Sequence, residues 1–123
     1  MIIGLGIDLA PIGAFEDEAR RERFAARCFT MGEREYAASR GVAAAQSAAG
    51  MFAAKESALK AFSAGIGDMP LTDIEVLHAP SGAPSLALHG EAARRAGALN
   101  VSRALLSITH QGDYAAAVVI LEG

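Results

Sequence analysis

Cysteine, aromatic side chains and long apolar runs are all scarce in this 123-residue sequence. Cys28 is the only cysteine, which excludes a disulfide within the chain and a zinc site built on a cysteine pair, and we interpret it as a small buried apolar residue. No apolar stretch reaches the roughly 20 residues that span a bilayer without meeting glycine or charge. The first residues lack the basic start and continuous apolar run of a signal peptide. We therefore expect a cytoplasmic protein with no membrane partner.

The charge balance is weak and slightly acidic, with a formal net charge of −3. This balance argues against a nucleic-acid partner held by a broadly basic surface. The local exception is residues 20–27, where four arginines face one glutamate, for a local charge of +3. The arginines are Arg20, Arg21, Arg23 and Arg27. Such a run is either a docking patch for an acidic partner or a solvated helix face, and the second is the common case.

The composition is that of a chain with a real core. Apolar residues make up 52% of the sequence and charged residues 20%, which excludes a disordered protein. Much of the apolar share is alanine, which favours closely packed helices. The length fits one domain, and we expect residues 1–123 to form a single domain.

Residue patterns predict strands and helices that do not alternate regularly. The predicted strands cover residues 2–9, 73–78, 85–89, 103–109 and 114–121, and the predicted helices cover 14–26, 42–63 and 91–99, with a further helix starting at Thr30. Thr30 and Glu33 have the spacing of a capping box. A doubly wound parallel sheet is disfavoured, because it requires regular alternation. The predicted fold class is α+β, with a mainly antiparallel sheet packed around the long central helix.

Glu56 lies inside an apolar stripe of that long helix. At 100° per residue, five apolar residues fall within about 60° of it. They are Ala45, Ala49, Phe52, Ala53 and Leu59. An ionised carboxylate in such a stripe is costly unless it is paired or bound to a cation. Helix geometry leaves two interpretations open, an ordinary i,i+4 pair with Lys60 and a functional carboxylate.

Asp8 follows Gly4 and Gly6 on one face of the first strand. Alternating glycines leave room for another backbone or a ligand to approach. The opposite face is apolar, with Ile3, Leu5, Ile7 and Leu9. A carboxylate at the end of the glycine face suits a hard cation such as magnesium, which prefers oxygen ligands. The alternative is an aspartate that caps a turn or helix just before Pro11, and spacing alone does not pair Asp8 with Glu56.

Three segments, taken together, resemble the holo-acyl-carrier-protein synthase family, the small bacterial type of 4′-phosphopantetheinyl transferase. They are Gly4-Leu5-Gly6-Ile7-Asp8-Leu9, then Phe-Ala-Ala-Lys-Glu-Ser-Ala-Leu-Lys-Ala-Phe at residues 52–62, then residues 106–110 followed by 114–117. The segments occur in the family's order and span nearly the whole chain. The Gly-x-Asp strand combined with the Lys-Glu-Ser helix is highly specific, whereas neither motif is specific alone.

The resemblance implies an enzyme that transfers the 4′-phosphopantetheine arm of coenzyme A to a serine of an apo-acyl carrier protein. Such enzymes release adenosine 3′,5′-bisphosphate and use Mg²⁺. Asp8 and Glu56 match the family's metal ligands, Glu56 and Lys60 its catalytic residues, and the base for the serine proton is either Glu56 or a metal-bound water. Coenzyme A would be held by Lys55, Lys60, Ser81, Gly82, Pro84, Thr109 and His110. The family is usually a homotrimer with its clefts between subunits.

Two positions depart from the family pattern. Ala14 and Met51 stand where the family often has arginines that contact the carrier protein and a phosphate, and neither can replace an arginine in a charge contact. The arginines of residues 20–27 would then dock the carrier alone. The alternatives to a standard transferase are a non-catalytic homologue that binds coenzyme A and a transferase for a specialised carrier protein.

Overall fold

Helices and strands follow one another in the order that the sequence predicts. The computed structural model describes residues 1–123. Its main elements are β1 Ile2–Pro11, α1 Glu18–Cys28, α2 Met31–Ser39, α3 Ala44–Ala61, β2 Ile74–His78, β3 Pro84–Leu88, α4 Gly90–Ala98, β4 Arg103–Gln111 and β5 Tyr114–Glu122. All strand pairs are antiparallel, so the predicted α+β fold with a long central helix is confirmed. None of the helices combines the length and the apolar character that crossing a bilayer requires.

Helix α3 packs across one face of the larger sheet, whose strand order is β1-β5-β4. The covered face of β1 carries Gly4 and Gly6. A Cβ at Gly6 would overlap the carbonyl oxygen of Ser57, and one at Gly4 would overlap that of Ala61. The glycines therefore allow the helix backbone to lie directly against β1, one of the two uses that their alternation predicts. The buried Ser57 hydroxyl also lies 2.9 Å from the carbonyl oxygen of Ala117, which ties α3 to β5.

The other face of this sheet is apolar and open to solvent. Leu5, Ile7 and Leu9 of β1 are 62%, 66% and 64% exposed. An alternating strand usually buries its apolar side, but here the glycine side is buried because only glycine lets α3 approach so closely. Ile3 was expected on the same outer face, yet it packs against the core, since a β-bulge at the start of β1 shifts the register. A contiguous exposed apolar face of this kind is typical of an interaction surface.

Helix boundaries differ from the predicted ones for local reasons. Helix α1 starts at Glu18 rather than at residue 14, because the Asp17 carboxylate accepts a hydrogen bond of 2.8 Å from the Arg20 amide and caps the helix there. Helix α2 follows the predicted capping box of Thr30. Helix α3 is shorter than predicted at its start, because Gly41, with a φ of +57°, opens a separate 3₁₀ turn.

Candidate active site

Asp8 and Lys60 meet at the β1 edge of the larger sheet. The Lys60 ammonium, in the last turn of α3, donates to the Asp8 carboxylate at 3.1 Å and to the Ile7 carbonyl at 3.0 Å. Asp8 lies within the strand opposite Ala117, so the interpretation of Asp8 as a turn or helix cap is wrong. Gly4 lies against Ala61 and Gly6 against Ser57, so β1 runs back along α3 and the Asp8 carboxylate emerges beside the helix, within reach of the Lys60 side chain.

Glu56 lies one turn before Lys60 and has a carboxylate oxygen with no partner. Its Oε1 is buried and accepts no hydrogen bond. Burial raises the pKa of Glu56, the negative charge of Asp8 raises it further, and the positive charge of Lys60 lowers it. The interpretation as an ordinary Glu56–Lys60 pair is wrong, because the Lys60 ammonium pairs with Asp8 instead. Buried carboxylate oxygens without partners are uncommon, and this one is suited to contact a cation.

The carboxylates of Asp8 and Glu56 fit a magnesium ion that a substrate helps to coordinate. No group of three or more His, Cys, Asp or Glu side chains converges in the chain, so there is no cation cage made wholly of such ligands. Magnesium commonly uses one or two carboxylates and completes its coordination with water and substrate phosphates. Two neighbouring carboxylates, one with an unpartnered oxygen, are consistent with that donor set.

Lys55 is not part of this site. Its side chain is 0% exposed, and its ammonium lies 2.6 Å from the Glu33 carboxylate, also 0% exposed. The same ammonium donates to the carbonyls of Leu71 at 2.9 Å and Ile74 at 2.6 Å, which uses all three of its protons. Burial lowers the pKa of Lys55, and the Glu33 charge raises it. The prediction that Lys55 binds coenzyme A is therefore wrong, because a bound ligand cannot reach the buried and saturated ammonium.

A second group of predicted residues lines a cavity of about 230 Å³ between α2, α3 and the β2–β3 hairpin. We call it the second cavity, because it lies apart from the group formed by Asp8, Glu56 and Lys60. Gly82, Pro84 and His110 are in its lining, as expected for one binding region. Ser81 is exposed and lies outside the lining. Thr109 projects from the opposite face of the sheet, where it borders a shallow groove beside the exposed apolar face. The structure thus gathers Gly82, Pro84 and His110 of the set expected to hold coenzyme A, and it separates Ser81 and Thr109 from them.

The two groups open on opposite sides of α3. Ser47, which lines the cavity, lies half a turn around the helix from Glu56 at 100° per residue. In the sheet, Asp8 belongs to edge strand β1 and His110 to edge strand β4, with β5 between them. One copy of the chain therefore presents two half-sites that face away from each other.

The basic segment of residues 20–27 lies on α1, which contacts α3 through an aromatic pair. Phe24 of α1 packs edge-on against Phe52, with ring centroids 5.0 Å apart, and Phe52 lies one turn before Glu56 on α3. Three of the four predicted docking arginines are exposed; these are Arg20, Arg23 and Arg27. Arg21 is half-buried, and its guanidinium donates to the carbonyl of Phe15 at 3.0 Å, so it anchors the helix as well.

Comparison with known proteins identifies the family. The family model for the 4′-phosphopantetheinyl transferase superfamily matches residues 4–119. The chain belongs to this superfamily. It is 45% identical over 128 residues to a holo-[acyl-carrier-protein] synthase of Nitratidesulfovibrio vulgaris, covering 99% of both chains. It also superposes on the Neisseria meningitidis holo-[acyl-carrier-protein] synthase with a TM-score of 0.86, at 28% identity over 100% of both chains. The Helicobacter pylori synthase, solved in complex with coenzyme A, gives a TM-score of 0.81 at 28% identity, covering 96% of this chain and 99% of the other.

In this superfamily member, packed apolar side chains occupy the two positions where the sequence analysis expected arginines. Ala14 packs against the main core cluster, and Met51 is 1% exposed and lines the second cavity. Sequence reasoning missed Tyr36, Arg40 and His78, which line the same cavity. The i,i+4 spacing of Tyr36 and Arg40 at the end of α2 is the one sequence signal that links two of them.

Proposed function

We propose that this protein is a holo-[acyl-carrier-protein] synthase, which transfers the 4′-phosphopantetheine arm of coenzyme A to a serine of an apo-acyl carrier protein. The observation that carries the proposal is the unpartnered buried oxygen of Glu56 beside Asp8 and Lys60. A superfamily member that had lost catalysis would have no reason to keep a costly carboxylate at this place.

The reaction makes and breaks one bond at phosphorus. The serine oxygen bonds to the phosphorus that carries pantetheine, and the bond from that phosphorus to the bridging oxygen breaks. The electron pair leaves with adenosine 3′,5′-bisphosphate. Lys60 is placed to stabilise the charge that develops on the leaving phosphate, since its side chain is 54% exposed and its ammonium is held by Asp8 and the Ile7 carbonyl. Glu56, whose pKa is raised by burial, is a candidate to accept the serine proton, and a metal-bound water is the other.

Asp8 and Glu56 are the residues that would hold Mg²⁺. A bound magnesium ion supplies charge neutralisation for the diphosphate of coenzyme A. In the complex with coenzyme A, Asp8 is then expected to bind the ion while Lys60 contacts the phosphates. The Asp8–Lys60 ion pair would therefore give way to contacts with the ion and the substrate.

The carrier protein is expected to dock on α1. Arg20, Arg23 and Arg27 are exposed there, and complementary charge steers an acidic partner. The packing of Phe24 on Phe52 places this helix one turn of α3 from Glu56. A carrier bound to α1 would therefore bring its serine towards the two carboxylates.

The active assembly is proposed to be a homotrimer whose clefts form between copies. The two half-sites lie at opposite edges of one sheet, so a single extended coenzyme A molecule is best accommodated by the β1 edge of one copy and the β4 edge of the next. The exposed apolar face formed by Leu5, Ile7 and Leu9 supplies a surface for such association. A contact between two different edges closes into a ring when the rotation allows it. The cytoplasmic location and the single domain over residues 1–123 stay predictions from the sequence.

Mass spectrometry of an apo-acyl carrier protein tests the transferase proposal. Incubation with this protein, coenzyme A and magnesium should add one phosphopantetheine to the carrier. Lys60→Met should abolish the gain, whereas Arg94→Ala, at an exposed arginine whose guanidinium contacts only Glu91, should leave it unchanged. Modification of none of several acyl and peptidyl carriers, with coenzyme A still bound, would favour the non-catalytic homologue instead. Modification of only a peptidyl or other specialised carrier would favour the alternative that Ala14 suggests.

Mixing two inactive variants tests the assembly. Lys60→Met removes the β1-edge half-site, and Ser47→Trp is designed to fill the second cavity. If clefts form between copies, an equimolar mixture refolded together should recover about a quarter of wild-type activity from random association. Light scattering should give the mass of three chains. A monomer mass, or no recovery in the mixture, would contradict the proposed assembly.

A further inference from the structure

The two carboxylates of the candidate active site lie on different elements. Asp8 belongs to β1 and Glu56 to α3. Lys60 joins α3 to Asp8, but its long side chain is exposed, so this contact constrains the carboxylates only weakly. A magnesium ion that both carboxylates bind requires their oxygens at a defined spacing, because its octahedral geometry tolerates little variation. The packing of α3 against the sheet must therefore set that spacing.

Ser57, the residue that follows Glu56, contacts both β1 and β5 close to Asp8. A Cβ on Gly6 would lie 1.8 Å from the Ser57 carbonyl oxygen, so the helix and strand backbones touch two residues before Asp8. The Ser57 hydroxyl lies 2.9 Å from the carbonyl oxygen of Ala117. Ala117 is the residue of β5 directly opposite Asp8 in the sheet. One residue of α3 thus connects the neighbour of one carboxylate to the strand partner of the other.

The two contacts of Ser57 restrict different movements of α3. The contact with Gly6 limits how closely the helix approaches β1, but a contact between backbone atoms still allows the helix to slide. The hydroxyl fixes the position along the strands, because an O–H···O bond is about 2.5–3.0 Å long whereas one helical residue rises about 1.5 Å. A slide of one residue would therefore break the bond to Ala117. Since Ser57 is 0% exposed, bulk water cannot replace Ala117 as its partner.

Helix α3 does not need this hydroxyl for its own stability. The hydroxyl also lies 2.7 Å from the carbonyl oxygen of Ala53, one turn earlier in the helix. Its single proton is shared between the carbonyls of Ala53 and Ala117. A bond of this kind to the preceding turn does not strengthen a helix, and alanine forms helices better than serine does. The contribution of the hydroxyl therefore lies in its contact with β5.

Resting on the proposed function, we infer that Ser57 is a positioning residue that holds Asp8 and Glu56 at the spacing that a shared magnesium ion requires. Ser57 touches neither the ion nor the substrate, and it acts through the two carboxylates. Residues that support metal ligands typically change metal affinity by about 10–100-fold. We expect an effect of about ten-fold here, because the contact between Gly6 and the Ser57 backbone remains when the hydroxyl is removed.

Binding of Mn²⁺ tests this role without a transfer reaction. Mn²⁺ prefers the same oxygen ligands as Mg²⁺, and its electron paramagnetic resonance signal distinguishes free from bound ion. The titrations contain coenzyme A at one fixed concentration, and Asp8→Asn gives the background from ions bound elsewhere. Ser57→Ala should raise the Kd for Mn²⁺ about ten-fold. An unchanged Kd would overturn the inference.

Two further variants separate positioning from lost stability and from lost volume. Ile74→Val removes one methyl group from a fully buried residue of β2. It should leave the Kd for Mn²⁺ unchanged, because it lowers stability without altering the contacts of Ser57. Ser57→Cys keeps a side chain of similar shape with only a weak donor, so it should weaken Mn²⁺ binding as Ser57→Ala does. Equal weakening in Ile74→Val, or wild-type binding in Ser57→Cys, would overturn the inference.

The magnesium dependence of transfer gives a second readout. In Ser57→Ala, the Mg²⁺ concentration for half-maximal rate should rise about ten-fold, while kcat at saturating Mg²⁺ stays close to the wild-type value. A rate that falls equally at every Mg²⁺ concentration would overturn the positioning role. If the wild type binds Mn²⁺ but transfers nothing, the proposed function fails, and the Mn²⁺ comparison then decides on Ser57 alone. If the wild type binds no more Mn²⁺ than Asp8→Asn, the inference is overturned whatever the transfer assay gives.

Discussion

Replacing Lys55 by methionine should destabilise the protein strongly, although the adjacent residue in the motif, Glu56, is the proposed metal ligand. Lys55 and Glu33 are both fully buried, and their N···O distance is 2.6 Å. Methionine has nearly the length of lysine but carries no charge. The substitution therefore leaves the Glu33 carboxylate buried without its cation, and it leaves two backbone carbonyls without their donor.

The structure sets the size of this effect. Removing one partner of a buried ion pair costs about 3–5 kcal/mol. The Glu33 carboxylate keeps hydrogen bonds from the amides of Thr30 at 2.9 Å and Val76 at 2.8 Å, which limits the loss, whereas the two abandoned carbonyls add to it. We expect about 4 kcal/mol, a large share of the roughly 5–15 kcal/mol that stabilises a typical domain. Adding Glu33→Gln to Lys55→Met removes the stranded charge, so the double variant should be at least about 1 kcal/mol more stable than the sum of the single effects.

Urea unfolding followed by far-UV circular dichroism measures these free energies. Two protein concentrations separate the stability of the chain from any contribution of assembly. Lys60→Met is the matched control on the same helix, since the exposed Lys60–Asp8 pair is worth about 0–1 kcal/mol. Lys60→Met should abolish transfer while changing the free energy of unfolding little. Lys55→Met should lower the free energy of unfolding, but it should keep transfer activity at a temperature low enough for the variant to stay folded. A cost below about 1 kcal/mol for Lys55→Met, or additive single effects, would refute the reasoning.

Three further predictions concern the glycines, the carboxylates and the second cavity. Gly6→Ala should lower the free energy of unfolding in urea by at least about 1–3 kcal/mol, because its Cβ would overlap a carbonyl of α3. The control Gly97→Ala, with no atom within 4 Å of its Cβ, should raise that free energy by up to about 1 kcal/mol. Equal effects of the two substitutions would contradict this prediction. Glu56→Gln should raise the melting temperature of chelator-treated protein, because it removes a charge that is partly buried and repelled by Asp8. It should also abolish any increase in melting temperature on addition of magnesium. A magnesium-dependent increase that persists in Glu56→Gln would count against Glu56 as a ligand. Arg40→Ala should raise the pKa of His78 in an NMR titration, because burial first and the Arg40 charge second hold that pKa below its ordinary 6.5; an unchanged value would separate the two side chains. Since the folded-state pKa of His78 is the lower one, its contribution to stability is present above about pH 6.5 and is lost as the pH falls towards the folded value.

The order of elements could be predicted because short-range patterns determine it. The capping box at Thr30 starts α2 where predicted, and the closing hairpin has nearly its predicted limits. The buried face of β1 was harder to predict from alternation. Leu5 and Ile7 face solvent and the glycines face the core, because closeness to a helix backbone outweighs side-chain hydrophobicity at this place.

The site could be predicted only in part because its contacts are long-range. Glu56 is visible as an anomaly in a helical stripe, but the Asp8–Lys60 contact joins residues 52 positions apart. The role of Lys55 was missed for the same reason, since its position in the motif suggests a ligand and its partner Glu33 lies on another helix. Arg40 lies outside every motif, and only the cavity shows its neighbours.

The outward apolar face of β1 has a consequence for how much catalyst a cell obtains from a given amount of chain. If each cleft needs two copies, the number of working sites rises more steeply than the number of chains when the protein is dilute. Below the dissociation concentration of the assembly, a cell would contain folded protein but almost no activity. The hydrophobic strength of the face formed by Leu5, Ile7 and Leu9 would then set the expression threshold above which carrier proteins are activated.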